Sequence, residues 1–175
     1  MAKNPGKQFE LAVKQSVPDY ILLIRLNDSP QAFKQSNLTR FTPKNPFDYL
    51  CFNTHTKTLF CLELKTTSNK YMGFENIYND EEQNAMIHAH QTKGLLKCSK
   101  YENVVAGFLF NFRLQDTELT YFMEVNLFQK MCDSINKKSF NLIDLSLYGA
   151  KKIEGFKKRT RWNWNLEEFF DSYNN

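Results

Sequence analysis

The residues of this chain best suited to chemistry are Asp48, in the run Pro46-Phe47-Asp48, and the pair Glu63 and Lys65, in Glu63-Leu64-Lys65 fifteen residues further on. Glu63 and Lys65 stand two apart in an apolar segment, so on an extended backbone their side chains point to the same face. If strands over 47–53 and 57–66 turn at 54–56, Asp48 falls nearly opposite Glu63. Three charged groups then converge beside Phe47, Leu50, Phe60 and Leu62, where they are costly unless they bind something. Two carboxylates that close repel, and a divalent cation relieves the repulsion. Mg²⁺ takes one or two carboxylates together with waters and phosphate oxygens. Bound there, it lowers the pKa of a water and offsets charge on a scissile phosphate. Lys65 can orient that water or neutralise charge in the transition state. The set suits in-line hydrolysis of a phosphodiester. An isolated Glu-x-Lys is most often a surface ion pair, Glu63 with Lys65 or with Lys57. The upstream Pro-x-Asp across a hairpin favours the catalytic reading.

The elements that must position these groups are legible as patterns. Residues 7–15 read as a helix after the breakers Asn4-Pro5-Gly6, and Pro18 ends it. Residues 20–26 form an apolar run that suits a strand, followed by a turn at 27–30 and an irregular polar connection over 31–46. The stretches 47–53 and 57–66, joined by Thr54-His55-Thr56, predict an antiparallel hairpin. Residues 76–97 begin polar and gain helical spacing through Ile87, Leu95 and Leu96. Residues 103–112 predict a buried strand paired with 118–125, 126–136 a helix, and 166–173 a final helix; 139–148 is short and mixed. Helix, strands with a helix between them, then helix predicts an α/β fold with a central sheet flanked by helices.

Composition sets bounds. The chain has 175 residues, 42% of them hydrophobic and 24% charged, values of a globular protein in one domain. They exclude a disordered chain, a collagen-like repeat and a coiled coil. Sixteen phenylalanines suit an aromatic core. No apolar run approaches a membrane span, and residues 1–7 lack the apolar stretch of a secretory signal. Cys51, Cys61, Cys98 and Cys132 form no Cys-x-x-Cys pair, which fits free thiols in a reducing cytoplasm better than a zinc site or a disulfide framework. The net charge of +4 is concentrated: residues 151–161 hold six basic residues and one acid. Such a segment on a nearly neutral body reads either as a polyanion contact through Lys157, Lys158, Arg159 and Arg161 or as a solvated face. Trp162 and Trp164 follow it and could stack on bases, but are expected rather to anchor it to the core, because tryptophan usually buries.

With these residues in view, the chain resembles the PD-(D/E)xK nuclease superfamily and, within it, the RecU family of Holliday junction resolvases, including phage versions. Gly6-Lys7-Gln8-Phe9-Glu10 is similar to that family's first helix, residues 45–49 (NPFDY) to its Asp-Tyr strand, residues 62–66 (LELKT) to its Glu-x-Lys strand, and His88-Ala89-His90-Gln91 to its His-Gln helix start. Lys138-Ser139-Phe140 and Tyr148-Gly149 resemble its C-terminal part. The resemblance implies a restriction-endonuclease-like core with a central mixed sheet flanked by helices, spanning residues 1–175 with the basic segment 151–161 appended. It implies metal-dependent cleavage of four-way DNA junctions by a homodimer in the cytoplasm of a bacterium or phage-infected host, with Mg²⁺ or Mn²⁺ as cofactor. Asp48, Glu63 and the Leu64 carbonyl would hold the metal. Lys65 would act on the water or transition state, Glu10 would lie close by, and Gln91 would orient a ligand, water or phosphate. His88 and His90 read as capping or packing residues. The family's protruding stalk is reduced here to a polar segment over 27–45, whose Lys34, Arg40 and Lys44 are candidate DNA contacts. A less selective nuclease of the same superfamily and a DNA-binding protein that does not cleave remain the alternatives.

Overall fold

In the computed structural model, residues 4–26, 45–78 and 85–173 are described. Helix α1 (Pro5–Ser16) starts where the Asn4 side chain accepts from the Gly6 and Lys7 N–H groups, with Pro5 in its first turn, where a missing N–H costs nothing. It buries Phe9, Ala12 and Val13, one stripe at helical spacing. Strands β1 (Ile21–Arg25), β2 (Tyr49–Asn53) and β3 (Thr58–Thr67) follow, then β4 (Met72–Gly73) and helix α2 (Ala89–Cys98). Strands β5 (Val104–Arg113) and β6 (Glu118–Glu124) lead into α3 (Val125–Ser134), β7 (Ser139–Phe140) and α4 (Leu142–Leu147). Strands β8 (Lys151–Ile153), β9 (Gly155–Lys158) and β10 (Arg161–Trp164) precede α5 (Leu166–Asp171).

Six strands form one sheet in the order β1-β2-β3-β5-β6-β8. Only the central pair, β3 with β5, is parallel; the other neighbours are antiparallel. A parallel pair needs a crossover, and α2 supplies it. Both central strands are covered on both faces, which is why 104–112 reads as an almost continuous apolar run. One face carries Phe108, Phe110, Phe128 and Phe140 with α2 and α3; the other carries Phe9, Phe60, Phe169 and Trp164 with α1 and α5. The phenylalanines thus fill two cores, in tilted and edge-on contacts such as Phe110–Phe140 at 4.9 Å and Phe60–Phe170 at 4.9 Å. All four cysteines are free thiols, and among the described residues no helix is long and apolar enough to cross a membrane.

The mixed α/β architecture with its central mixed sheet is the one expected. Two segments differ. The helix expected within 76–97 begins only at Ala89. The Met86 and Ile87 N–H groups donate to the Gly73 carbonyl, and Phe74 bridges Ile87, so extended backbone wins before the helix starts. The basic segment 151–161 is built into three strands: β8 pairs with β6, and β9 with β10 in a separate hairpin. Cross-strand pairing and the buried Trp164 order a stretch that charge alone leaves irregular.

Candidate active site

The β2–β3 hairpin brings the acids together. Its register pairs Tyr49 with Leu62, and Asp48 and Glu63 lie one step beyond. The Asp48 N–H donates to the Leu62 carbonyl at 3.1 Å, and the Leu64 N–H donates to the Asp48 carboxylate at 2.8 Å. The pleat of β3 sends Phe60, Leu62 and Leu64 into one core and turns Cys61, Glu63 and Lys65 toward α2.

Glu63 is 3% exposed, and its charge is matched locally. Lys65 Nζ stands 2.9 Å from Glu63 Oε1, and the Gln91 side-chain amide donates to the same oxygen. Gln91 Oε1 accepts from the His88 N–H at 3.0 Å, so both ends of its amide are engaged and its orientation is set. Asp48 is half-buried. Burial pushes its carboxyl above the ordinary aspartate value and Glu10 pushes the same way, while the Leu64 N–H, Lys65 and Arg25 pull it down. A nearby cation would offset that cost. Glu10, from α1, approaches on the other side and pairs with Arg25 of β1 at 3.0 Å.

The five residues expected at the site, Glu10, Asp48, Glu63, Lys65 and Gln91, are therefore contributed by α1, the β2–β3 hairpin and α2, and neighbour one another. The set fits a hard divalent cation: its donors are carboxylate and carbonyl oxygens, one carboxylate is buried, and another is destabilised by burial. Among the described residues no cluster of three or more His, Cys, Asp or Glu side chains forms, so such an ion would complete its shell with the Leu64 carbonyl, water and phosphate. Glu10, Lys65, Met86, His88 and Arg113 line a cleft of about 410 Å³ at this point.

Sequence reasoning missed three residues. Glu75 accepts from the Ala89 N–H at 2.7 Å and contacts His88 Nδ1 at 2.8 Å, tying down the start of α2 and with it Gln91. Burial alone would raise its carboxyl, but these two bonds outweigh it and hold it below the usual range. Arg25 orients Glu10, and Arg113 lies on the cleft wall, its Nε donating to Thr66 Oγ1 at 3.2 Å. Arg25 and Arg113 were visible only as charges at the ends of apolar strands. His88 occupies the N-cap position of α2, in keeping with the capping role expected. Lys157, Lys158, Arg159 and Arg161 are exposed on the β9–β10 hairpin and its turn. Lys34, Arg40 and Lys44 lie outside the described residues.

Gly94 lets α2 approach the hairpin. A Cβ there would stand 2.3 Å from Pro46 Cβ, two residues before Asp48. Alanine gains about 1 kcal/mol of helix propensity over glycine, but a rigid proline ring cannot turn aside. Gly94→Ala is expected to lower stability by about 1–3 kcal/mol, read from denaturant unfolding. A higher midpoint would show that Pro46 yields.

A mixed α/β fold with two carboxylates, a lysine and a glutamine gathered between the β2–β3 hairpin and α2 is the arrangement these observations define. No family model matches the chain. It is 32% identical over 180 aligned residues to the SPbeta prophage-derived uncharacterized protein YotM of Bacillus subtilis (strain 168), with 95% of this chain and 85% of that one covered, and it belongs to the same family. Among solved structures it is similar to the Hjc of Archaeoglobus fulgidus, a Holliday junction resolvase from an archaeal hyperthermophile, with a TM-score of 0.45 and 12% identity over 83% of this chain and 91% of that one.

Proposed function

We propose that this protein is a divalent-metal-dependent, structure-selective DNA endonuclease of the PD-(D/E)xK type, a RecU-like resolvase of four-way junctions. The observation that carries the reading is Glu63: a buried carboxylate opposite Asp48, held on one oxygen by both Lys65 and Gln91. Burying such a group is costly, and a purely structural role would be served as well by an apolar residue.

Asp48, Glu63 and the Leu64 carbonyl would hold Mg²⁺ or Mn²⁺, which would lower the pKa of a water and offset charge on the phosphate. Lys65 supplies a fixed positive charge beside Glu63, placed to steady the attacking water or the phosphate oxygens. Gln91 keeps Glu63 from rotating away. Glu10, steered by Arg25, faces the same cleft and can accept a hydrogen bond from water. Phosphates outside the cleft are gripped by Lys157, Lys158, Arg159 and Arg161, with Lys34, Arg40 and Lys44 as further contacts. Residues 1–175 act as one nuclease domain. A homodimer would place two such sites to cut two strands, matching the approximate two-fold symmetry of a junction. The setting is the cytoplasm of a bacterium or phage-infected host.

The test is cleavage of a labelled four-way junction and of linear duplex of the same sequence, in Mg²⁺ or EDTA. Paired nicks in opposing strands of the junction alone, absent in EDTA, are expected. Equal cutting of both DNAs would indicate a general nuclease, and binding without cutting would reduce the protein to a DNA binder. Gln91→Ala is expected to slow junction cleavage about 10- to 100-fold, the usual effect of losing a residue that orients a metal ligand. An unchanged rate would remove Gln91 from the site.

A further inference from the structure

The basic hairpin has two unlike faces. Its register sets Arg161 opposite Lys158 and Asn163 opposite Phe156, so the pleat gathers these four on one face and Gly155, Lys157, Trp162 and Trp164 on the other. Trp164 is the anchor: it is 2% exposed and meets Phe9 of α1 edge-on at 6.4 Å, with Trp162 stacked on it at 5.4 Å. A Cβ on Gly155 would lie 2.3 Å from the Trp164 ring, so backbone and indole touch directly. The first face, by contrast, presents Phe156 at 58% exposure together with Lys158 and Arg161.

A lone exposed phenylalanine needs no explanation. This one stands on a hairpin pinned to the helix that carries Glu10, and cations share its face. The hairpin also borders a groove that adjoins the cleft. Arg161 and Trp162 line a second groove of about 280 Å³, which shares Pro5, Phe9 and Arg113 with the cleft at Lys65 and Glu10. A DNA strand leaving the cleft can follow α1 past Arg113 to the hairpin.

We propose that Phe156 stacks on an unpaired base at the branch of the DNA substrate, with Lys158 and Arg161 on the flanking phosphates. Base–aromatic stacking accepts any base but requires one that is not already stacked in duplex. Phe156 therefore distinguishes branched from linear DNA, a distinction the short segment 27–45 need not supply. The inference rests on the DNA-endonuclease reading and names the substrate feature that site would select.

Binding in EDTA tests it, with 2-aminopurine at the branch of a four-way junction and, separately, in a single-stranded oligonucleotide and in linear duplex. Phe156→Ala is expected to lose roughly 5- to 150-fold in affinity for the junction and the single strand, the span of one base–aromatic stack, and less than about twofold for the duplex. The 2-aminopurine quenching caused by the wild-type protein is expected to disappear. Phe156→Trp, which keeps a ring, retains both preference and quenching. Wild-type affinity of Phe156→Ala for the junction, an equal loss on all three DNAs, or the same loss in the tryptophan variant would each overturn the proposal. Since no metal is present, a wild-type protein that fails to cut in Mg²⁺ defeats the nuclease reading without touching this result.

Discussion

Asp48→Ala and Glu63→Ala are each expected to slow cleavage by roughly 100- to 1,000-fold or more, the scale of losing a principal electrostatic contact to the transition state, and to leave junction binding largely intact. The two activities are expected to separate because, on the proposed function, the acids would hold the metal whereas the basic groups would grip phosphate. Asp48 is the cleaner of the two. Its carboxylate takes one backbone N–H, from Leu64, and its burial is unfavourable, so Asp48→Asn, which keeps an acceptor for that N–H, disturbs the fold little. Glu63 is different, because Lys65 depends on it and is only 14% exposed along its side chain. Breaking a buried pair from one side costs about 3–5 kcal/mol. Glu63→Gln and Asp48→Asn keep the shapes and isolate the charge. A second readout needs no DNA: on the proposed function, Mg²⁺ or Mn²⁺ is expected to raise the thermal unfolding midpoint of the wild-type protein, by up to about 2.7 kcal/mol of added stability at a hundred times the dissociation constant. Asp48→Asn removes that increment. Loss of binding together with cleavage in well-folded variants would sink the assignment of these acids as metal ligands.

Neutralising the basic hairpin has the complementary outcome. With Lys157, Lys158 and Arg161 changed to glutamine and Arg159 to asparagine, affinity is expected to fall for every DNA form. The slope of log affinity against log salt becomes shallower by about 3–4, close to one released counterion per lost phosphate contact. Asparagine is the choice at 159 because the residue sits at φ 57° in the turn, a region asparagine tolerates better than most. The fold should survive, since these side chains are exposed and the hairpin is held by Trp164 and by the Trp164 N–H donating to Ser16 Oγ at 2.9 Å. An unchanged salt slope would contradict this role. The pattern also differs from that of Phe156: charge removal weakens all DNA alike, whereas loss of the ring acts on open DNA.

The hairpin that carries Asp48 and Glu63 was legible because everything that specifies it is local. Alternation in 47–53 and 57–66 and a short polar turn between them set a register that leaves Asp48 and Glu63 one step beyond Tyr49 and Leu62. Helix α1 was legible from Asn4, Pro5 and its apolar stripe, and β5 from its unbroken apolar run. The sequence thus determined which acids face each other and on which strand Lys65 joins them. It did not determine what holds Glu63. Gln91, named through a family resemblance rather than through any local pattern, reaches Glu63 because the parallel pairing of β3 with β5 forces a crossover that lays α2 over that face. How closely α2 lies depends on Gly94 against Pro46, and where it begins depends on Glu75 capturing the Ala89 N–H. Arg113 on the cleft wall likewise meets Thr66 across elements far apart in the chain, and Glu10 meets Arg25 only where α1 comes back beside β1. The basic run 151–161 carried its charge openly, but its division into β8 and the β9–β10 hairpin came from pairing with β6 and from Trp164 seated against Phe9. Local periodicity specifies strands and their nearest partners. Contacts between residues distant in sequence exist only once the sheet order has closed the loops between them, and those contacts decide the site's electrostatics.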